Sequence, residues 1–500
     1  MYSLVDLNNK RGIERETLRI YKSGKLSSSC HPLGLGHKLT NDSVTVDFSE
    51  NLLEVITKPR NTIKETLNEL SYLSAFTLQN MPSDEIILNS SMPLTVSEED
   101  IQEADFGTSN SGAMKQVYRK GLSVRYGKEM QVISGIHYNF SFDEDLIAKK
   151  CSEHDMDKSA VYFGVVNNYF EYMWLLPYLF GASPIAAKTS VNNKLDYLCD
   201  FDDEFYVGEY ATSLRMSDLG YTSPAQKDLH ISYDNVSTYV RDLIAATATN
   251  FANYSDFGLY DDDSRVQLNE NILQIENEYY SAIRPKQIAI RGERPACSLM
   301  NRGVEYIEVR VLDVDPFDKN GISLETSLFV EAMLMTCLNQ PFKPYSKQYV
   351  SKSKDNLTKV ATCGRKPGLM LSCDDGDEVL LKDYATQLIN NIEVIAAKMG
   401  HEYKEAVSSQ IQKVLDVKNT PSAKIIELAK EYGYKNWMLK NSQTISDDFR
   451  GVKLPKETLD KLNKQASESV VDELELREND SMSLNEYIDS YYESSNGCCG

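Results

Sequence analysis

RGIERETLRI, residues 11–20, decides how the rest of this chain is read. Taken as a β-strand it alternates faces with period two. Glu14, Glu16, Leu18 and Ile20 then share one side, and Arg15, Thr17 and Arg19 the other. Two carboxylates about 6.5–7 Å apart on one face repel each other unless positive charge lies between them. Oxygen ligands on a rigid strand suit Mg²⁺ or Mn²⁺. The decapeptide alone also fits a solvated strand edge of alternating charge, so the decision rests on residues further along the chain.

The acidic balance narrows the partners. A formal net charge of −21 over 500 residues argues against nucleic acid and acidic membrane surfaces. An anionic substrate would need local arginines or metal ions. Length sets a prior of about three domains, and 41% hydrophobic with 25% charged residues is ordinary for a globular chain with a sizeable core. The start, MYSLVDLNNK, has no apolar core of signal-peptide length. The most apolar stretch, residues 172–187, is short of a membrane span and carries Pro177 and Pro184. Nine cysteines lie scattered without metal or disulfide spacing, so a cytoplasmic chain with reduced thiols is expected.

Further strands place more polar residues among apolar ones. VTVDFSENLLEVIT (44–57) embeds Asp47, Glu50 and Glu54 in an apolar run, where a carboxylate is costly to bury unless paired or metal-bound. Glu50 is expected at the surface. MQVISGIHYNFSF (130–142) reads as one strand, with Gln131, Ile133, Gly135, His137 and Asn139 on one face. Val132, Ile136, Tyr138, Phe140 and Phe142 face a core. A lone His is more often a satisfied core or surface residue; beside Gln and Asn on a polar face it suggests a site.

RGVEYIEVRVLDVDPF (302–317) aligns Tyr306, Glu308, Arg310 and Leu312 on one face and Ile307, Val309 and Val311 on the other. Glu308 and Arg310 form either a structural salt bridge or a metal ligand beside a phosphate-binding group. QLNENILQIENEYYSAIRPK (267–286) also alternates, with Gln274, Glu276, Glu278 and Tyr280 on one side and Arg284 near its end.

Between these strands lie helices and turns. Thr62 and Glu65 make a capping box for a helix to about Asn80. Residues 158–176 read as a helix ended by Pro177. Further helices are expected over about 323–339, 377–399, 402–416 and 421–432, and GRKPG (364–368) is a basic turn that could touch a phosphate. From about residue 467 the chain is Glu- and Ser-rich and is expected to fray. Gly34 and Gly36 begin a dinucleotide fingerprint that Leu39 breaks. P-loop, GxSxG and CxxC motifs are absent from the sequence. The residues alone describe a metal-dependent enzyme acting on anionic small molecules, with a silent metal- or nucleotide-binding protein as the rival.

The blocks RGIERETLRI, VDFSENLLEVIT, QVISGIHYNFSF, YLFGASP, YATSLRMSDLGYT, LQIENEYYSAIRPK and GVEYIEVRVLDVDPF together resemble, in order, the proteobacterial type of glutamate–cysteine ligase. The resemblance implies an α+β fold: a curved, mainly antiparallel sheet forming a funnel-like site, as in glutamine synthetase, with helices around it. It implies a catalytic domain over 1–370 and a helical region over 371–500. It also implies ATP-dependent joining of the L-glutamate γ-carboxylate to the L-cysteine amine through γ-glutamyl phosphate, with Mg²⁺ or Mn²⁺.

Carried over by position, Glu14, Glu16, Asp47, Glu54, His137 and Glu308 become metal ligands, with Glu308 also catalytic. Arg310 would stabilise the transferring phosphoryl group and Arg215 hold a substrate carboxylate. Phe48, Tyr118, Leu122, Gln131, Tyr221 and Tyr280 would line the cysteine pocket, and Arg119, Ile133, Asn139 and Arg284 are further substrate contacts. The expected partners are L-glutamate, L-cysteine and ATP, with no nucleic acid or membrane, and the protein is expected to act as a monomer. A ligase for another amine, such as ammonia, is the rival within this class.

Overall fold

A computed structural model describes residues 4–494 apart from 6, 192, 221, 222, 289, 291, 374 and 375. Its organising element is β1 (Lys10–Tyr21), which pairs along its length with three other strands. β2 (Val44–Val46) and β3 (Leu52–Ile56) form a hairpin beside it, and β4 (Glu85–Ile87) pairs with its last residues. On the other flank come β5 (Ile136–Ser141), β6 (Ile283–Lys286) and β7 (Tyr306–Leu312). The sheet order is β6-β7-β5-β1-β3-β2, every pairing is antiparallel, and the sheet is open. The fold is thus a mixed α and β one built on antiparallel sheet.

One face of the sheet is core. Ile13, Tyr138, Phe140, Ile307 and Val309 are fully buried there. The helix Leu324–Asn339 is buried nearly all round, as a helix enclosed by other elements should be. The same face carries Arg11, Arg15 and Arg19, all buried. Arg11 pairs with Glu331 at 2.6 Å, and the hydroxyls of Tyr138 and Tyr403 donate to the same carboxylate. Arg19 pairs with Glu85 at 2.7 Å. Arg15 donates to Asn89 Oδ1 and to the Lys319 carbonyl. A charge buried this deeply is tolerable only when paired and hydrogen-bonded.

The expected elements hold with several corrections. The capping box of Thr62 and Glu65 starts the helix Ile63–Asn80. The single strand over 130–142 is a 3₁₀ turn, Glu129–Val132, followed by β5 alone. Only Ile283–Lys286 of residues 267–286 is strand. Upstream, Gln274 and Glu278 satisfy nearby backbone N–H groups with their side chains, which competes with a strand ladder.

Pro177 does not end the long helix, which stops at Tyr172; it sits in the first turn of a short helix, Leu175–Phe180, where its missing N–H costs nothing. The expected helix over 402–416 is two, His401–Ser408 and Ile411–Leu415. The boundary expected after residue 370 falls inside a small hairpin, Met370–Ser372 paired with Glu378–Leu380.

The C-terminal region differs most. In place of a frayed tail from 467, helices run over Lys456–Glu478 and Leu484–Glu493. Ser469 accepts from the His37 backbone, and Ile488 is fully buried against Met114, Val117 and Leu268. Glu50 is also buried rather than at the surface; it pairs with Lys38 and accepts from the Asp105 backbone. The expectation of reduced thiols fails at Cys297, which is disulfide-bonded. No helix among the described residues is long and apolar enough to cross a membrane.

Candidate active site

Strand register collects the acidic residues on the face opposite the core. Glu14 stands across from His137 on β5, and Glu16 across from Glu54 on β3. Glu308 lies between Asn139 on β5 and Arg284 on β6. His137 Nδ1 is 3.1 Å from Glu14 Oε2 and 3.7 Å from Glu308 Oε1, while its Nε2 is 3.7 Å from Glu16 Oε1. Ligand atoms of Glu14, His137 and Glu308 all fall within 4.8 Å of one another. Arg310 reaches Glu308 at 3.1 Å and Lys286 reaches it at 3.7 Å.

These carboxyls are driven apart electrostatically. Burial pushes Glu54 well up, and repulsion from Glu14, Asp47, Glu16 and Glu308 adds to it. Burial also raises Glu16. At Glu308 burial acts the same way, but Lys286, Arg310, His137 and Arg284 outweigh it and hold the carboxyl well below the usual range. At Glu14 burial is again the largest single influence and Glu308 adds to it, but the hydrogen bond and charge of His137 together with Lys286 outweigh them and lower the carboxyl. A largely buried row of acids that its own cations neutralise only in part could hold further positive charge. Glu308 Oε2 is buried without a hydrogen-bond partner, which leaves a donor oxygen for an ion.

Above the row opens a cavity of about 1140 Å³. Its floor includes Glu14, Glu16, Asp47, Glu54, His137, Glu308 and Arg310. The helix Asn110–Tyr126, capped by Ser109, contributes Tyr118, Arg119 and Leu122 to one wall, with Phe48 and Gln131 beside them. Tyr280 and Arg284 also line the cavity. Arg119 donates to the Asp47 carbonyl at 2.5 Å, and Arg284 braces the loop through the Asn277 and Tyr279 carbonyls.

Several expected residues are not among those lining this cavity. Ile133 is 2% exposed and packs with Met92, Leu198 and Leu214, away from the cavity. Asn139, half-buried on the same strand face as His137, is taken up by the floor itself, donating to Glu14 Oε1 at 2.8 Å. Arg215, expected to hold a substrate carboxylate, is buried behind the wall. Its guanidinium donates to the Arg310 carbonyl at 3.1 Å and the Leu312 carbonyl at 3.2 Å, where β7 bulges against β5. Arg365 of the basic turn likewise donates to the Glu209 and Ala211 carbonyls rather than facing the cavity. Tyr221 lies outside the described residues.

Sequence reading missed Lys286, Tyr126, Met130, Met216 and Tyr279 in the wall. Lys286 had a signal, since it is two residues beyond Arg284 on the same strand face; the others sit on loops and a helix end, where no period marks them.

Comparison with known proteins shows which family the chain resembles over nearly its whole length. The family model described as glutamate-cysteine ligase matches residues 4–360. Glutamate–cysteine ligase of Pseudomonas fluorescens strain Pf0-1 is 40% identical over 498 residues, covering 97% of this chain and 93% of that one. The enzyme of that name from Bordetella parapertussis is 39% identical, covering 96% and 93%. The solved structure of glutamate–cysteine ligase from Francisella tularensis in complex with AMP is 64% identical, with a TM-score of 0.98 over 100% of both chains. A bifunctional glutathione synthetase from Pasteurella multocida, 23% identical, has a TM-score of 0.71 over 88% of this chain and 52% of that one, a likeness of fold alone. On the family model and on relatives that match nearly end to end, this chain belongs to the glutamate–cysteine ligase family.

Proposed function

We propose that the chain joins the γ-carboxylate of L-glutamate to the amine of L-cysteine, cleaving ATP to ADP and phosphate, as the first step of glutathione biosynthesis. One observation carries the reading: the largely buried carboxylate–imidazole cluster of Glu14, His137 and Glu308 stands beside Arg310 at the floor of a cavity of about 1140 Å³. That volume exceeds an ordinary small-ligand pocket of roughly 300–1,000 Å³, as a site for three substrates should. The open sheet would act as the base of a funnel like that of glutamine synthetase, in a cytoplasmic monomer.

The glutamate γ-carboxylate attacks the γ-phosphorus of ATP, the bond to the ADP oxygen breaks, and γ-glutamyl phosphate forms. The cysteine amine then attacks the acyl carbon, loses a proton and displaces phosphate. Hard oxygen donors with one imidazole fit Mg²⁺ or Mn²⁺, and the unpartnered Glu308 Oε2 supports that fit. Glu14, Glu16, Asp47, Glu54, His137 and Glu308 would hold the ions. When bound, they would screen the triphosphate from the attacking carboxylate.

Arg310, anchored by Glu308 at 3.1 Å, directs its remaining donors to the oxygens of the transferring phosphoryl group. Glu308 fixes that guanidinium as well as contributing its free oxygen. Phe48, Tyr118, Leu122, Gln131 and Tyr280 form the arm for the cysteine side chain, with Arg119 and Arg284 giving it positive charge.

Purified protein given Mg²⁺, ATP and L-glutamate should release ADP rapidly only once L-cysteine is added. Equal turnover with ammonia would replace cysteine by the simpler amine. Absence of ADP release with any amine would leave a silent binding protein.

A further inference from the structure

The last helix is joined to the cavity through a relay of hydrogen bonds that the catalytic reading does not use. The helix Asn110–Tyr126 shows Tyr118, Leu122 and Tyr126 to the cavity and packs Met114 and Val117 against Ile488 of the helix Leu484–Glu493. The segment before that last helix holds the N-terminus of the first. The backbone N–H of Asn110 donates to Asp480 Oδ2 at 2.6 Å, and the Asn110 amide donates to the Met482 carbonyl at 2.9 Å.

A second line of contact runs through residues 267–280. Tyr492 Oη donates to the Gln274 carbonyl at 2.7 Å and accepts from Asn269 Nδ2 at 2.7 Å. Gln274 Nε2 in turn donates to the Tyr118 carbonyl at 3.1 Å. Its amide lies so close to Gly121 that a Cβ there would stand 2.0 Å from Oε1. The Gln274 backbone N–H donates to Glu278, whose other oxygen pairs with Arg125 at 3.2 Å. Below, Arg294 pairs with Glu276 at 2.8 Å and lies 5.2 Å and 5.5 Å from the rings of Tyr491 and Tyr492.

We infer that residues 480–494 are a strap that positions Tyr118 and Leu122 of the arm, and Tyr126 beside them, with Tyr492 as the positioning residue acting through Gln274. Two independent contacts converge on the same helix: one from the side opposite the cavity and one on the Tyr118 carbonyl itself. Among the contacts of the described residues the strap meets the arm's helix and not the floor, so it governs the affinity of whichever substrate fills this arm and leaves the phosphoryl chemistry alone. The identity of that substrate, cysteine, rests on the function proposed above.

The test compares Tyr492→Phe with Leu122→Ala in the full-length enzyme, measuring kcat, the KM of each substrate and Tm. Leu122→Ala reports which Michaelis constant the arm controls. Tyr492→Phe keeps the ring over Arg294 and removes two hydrogen bonds; it should raise that same KM about three- to tenfold, the effect of one to two net hydrogen bonds, and change kcat less than about twofold. Ile488→Val, a milder loosening of the same strap, should shift the same constant in the same direction and serves if Tyr492→Phe folds poorly. If Leu122→Ala moves a KM other than that of cysteine, the substrate assignment falls, and the strap stands provided Tyr492→Phe moves that same constant. If Tyr492→Phe and Ile488→Val leave every KM unchanged, whether or not Tm drops, the strap is only structural and the inference is overturned.

Discussion

Gly135→Ala should disable the enzyme without unfolding it, because a single methyl would dislodge the clamp behind Arg310. Gly135 is buried between β1 and the wall; its N–H donates to Glu16 and its carbonyl accepts from the Glu16 N–H at 3.0 Å. A Cβ there would lie 2.0 Å from Arg215 Nη2, 2.4 Å from Cζ and 2.6 Å from Nε. Relief to ordinary contact at about 3.5 Å requires the guanidinium to retreat about 1.5 Å. Arg215 is 3% exposed, so its three bonds to the Arg310 and Leu312 carbonyls would break. Overpacking of this kind costs about 1–3 kcal/mol, tolerable for a chain of this size.

The catalytic loss should be larger. Misplacing a reacting group by about 1 Å costs about 10²-fold, and the β7 bulge freed by Arg215 carries Arg310. ADP release coupled to cysteine addition should therefore fall about 10²-fold while circular dichroism is retained. Arg215→Ala should lose a similar amount, and Gly135→Ala added to it should cost almost nothing more, since the clash has gone. Near-normal turnover in Gly135→Ala, or additive losses in the double variant, would refute the clamp.

Three further outcomes test other parts of the structure. Chelation of divalent ions should abolish ADP release, and Mg²⁺ at about 100 times its Kd should add about 2.7 kcal/mol of stability; a Tm indifferent to Mg²⁺ and Mn²⁺ would remove the ions from the carboxylate row. Glu331→Gln breaks the buried pair with Arg11 and should cost about 3–5 kcal/mol with every KM unchanged, read by urea denaturation and by kinetics; an unaltered midpoint would contradict the burial of that pair. His31, whose ring nitrogens have no hydrogen-bond partner among the described residues, is pushed down to about 3 by burial and by Lys38 and Arg19. Below about pH 6.5 the unfolded chain takes up a proton that the folded form refuses, so stability should fall by about 1.4 kcal/mol per pH unit as pH drops toward 3, and His31→Asn should lose less between pH 7.5 and 5; equal losses would show the ring is not held neutral.

The range over which a signal acts decided how much of the fold and site was legible in the sequence. Alternation in residues 11–20 and 306–312 reports which face a side chain takes, and both strands carry Glu14, Glu16, Glu308 and Arg310 to one side as expected. The capping box at Thr62 is local chemistry and was legible for that reason, as was the helix over 421–432, which Thr420 caps and Pro421 opens. Arg15 and Arg19 were not, because their burial depends on Asn89, Lys319 and Glu85, far away in the chain. The surroundings of Arg215 were hidden for a related reason: its residue type suits a substrate carboxylate, and the bulge in β7 also supplies carbonyls to its guanidinium that no pattern in residues 210–222 announces. Low hydrophobicity made the C-terminal segment look solvated, yet Ile488 and the rings of Tyr491 and Tyr492 are enough to dock it.

The unequal titration of the acidic row ties the fold to the chemistry. A strand ladder holds Glu16 and Glu54 directly opposite each other whatever their charge, and like charges so placed are destabilising. Relaxation is blocked, because β1 is clamped on the core side by Arg11, Arg15 and Arg19 and their buried partners. The strain therefore shows as protonation, with Glu54 pushed well up by burial and by its acidic neighbours, and Glu308 held well down beside Lys286 and Arg310. Added cations would reverse the first effect without moving the backbone, and the same row would then present a positive surface to ATP that a chain of net charge −21 otherwise lacks. On this argument the buried arginines of the core face are what allow the opposite face to remain so acidic.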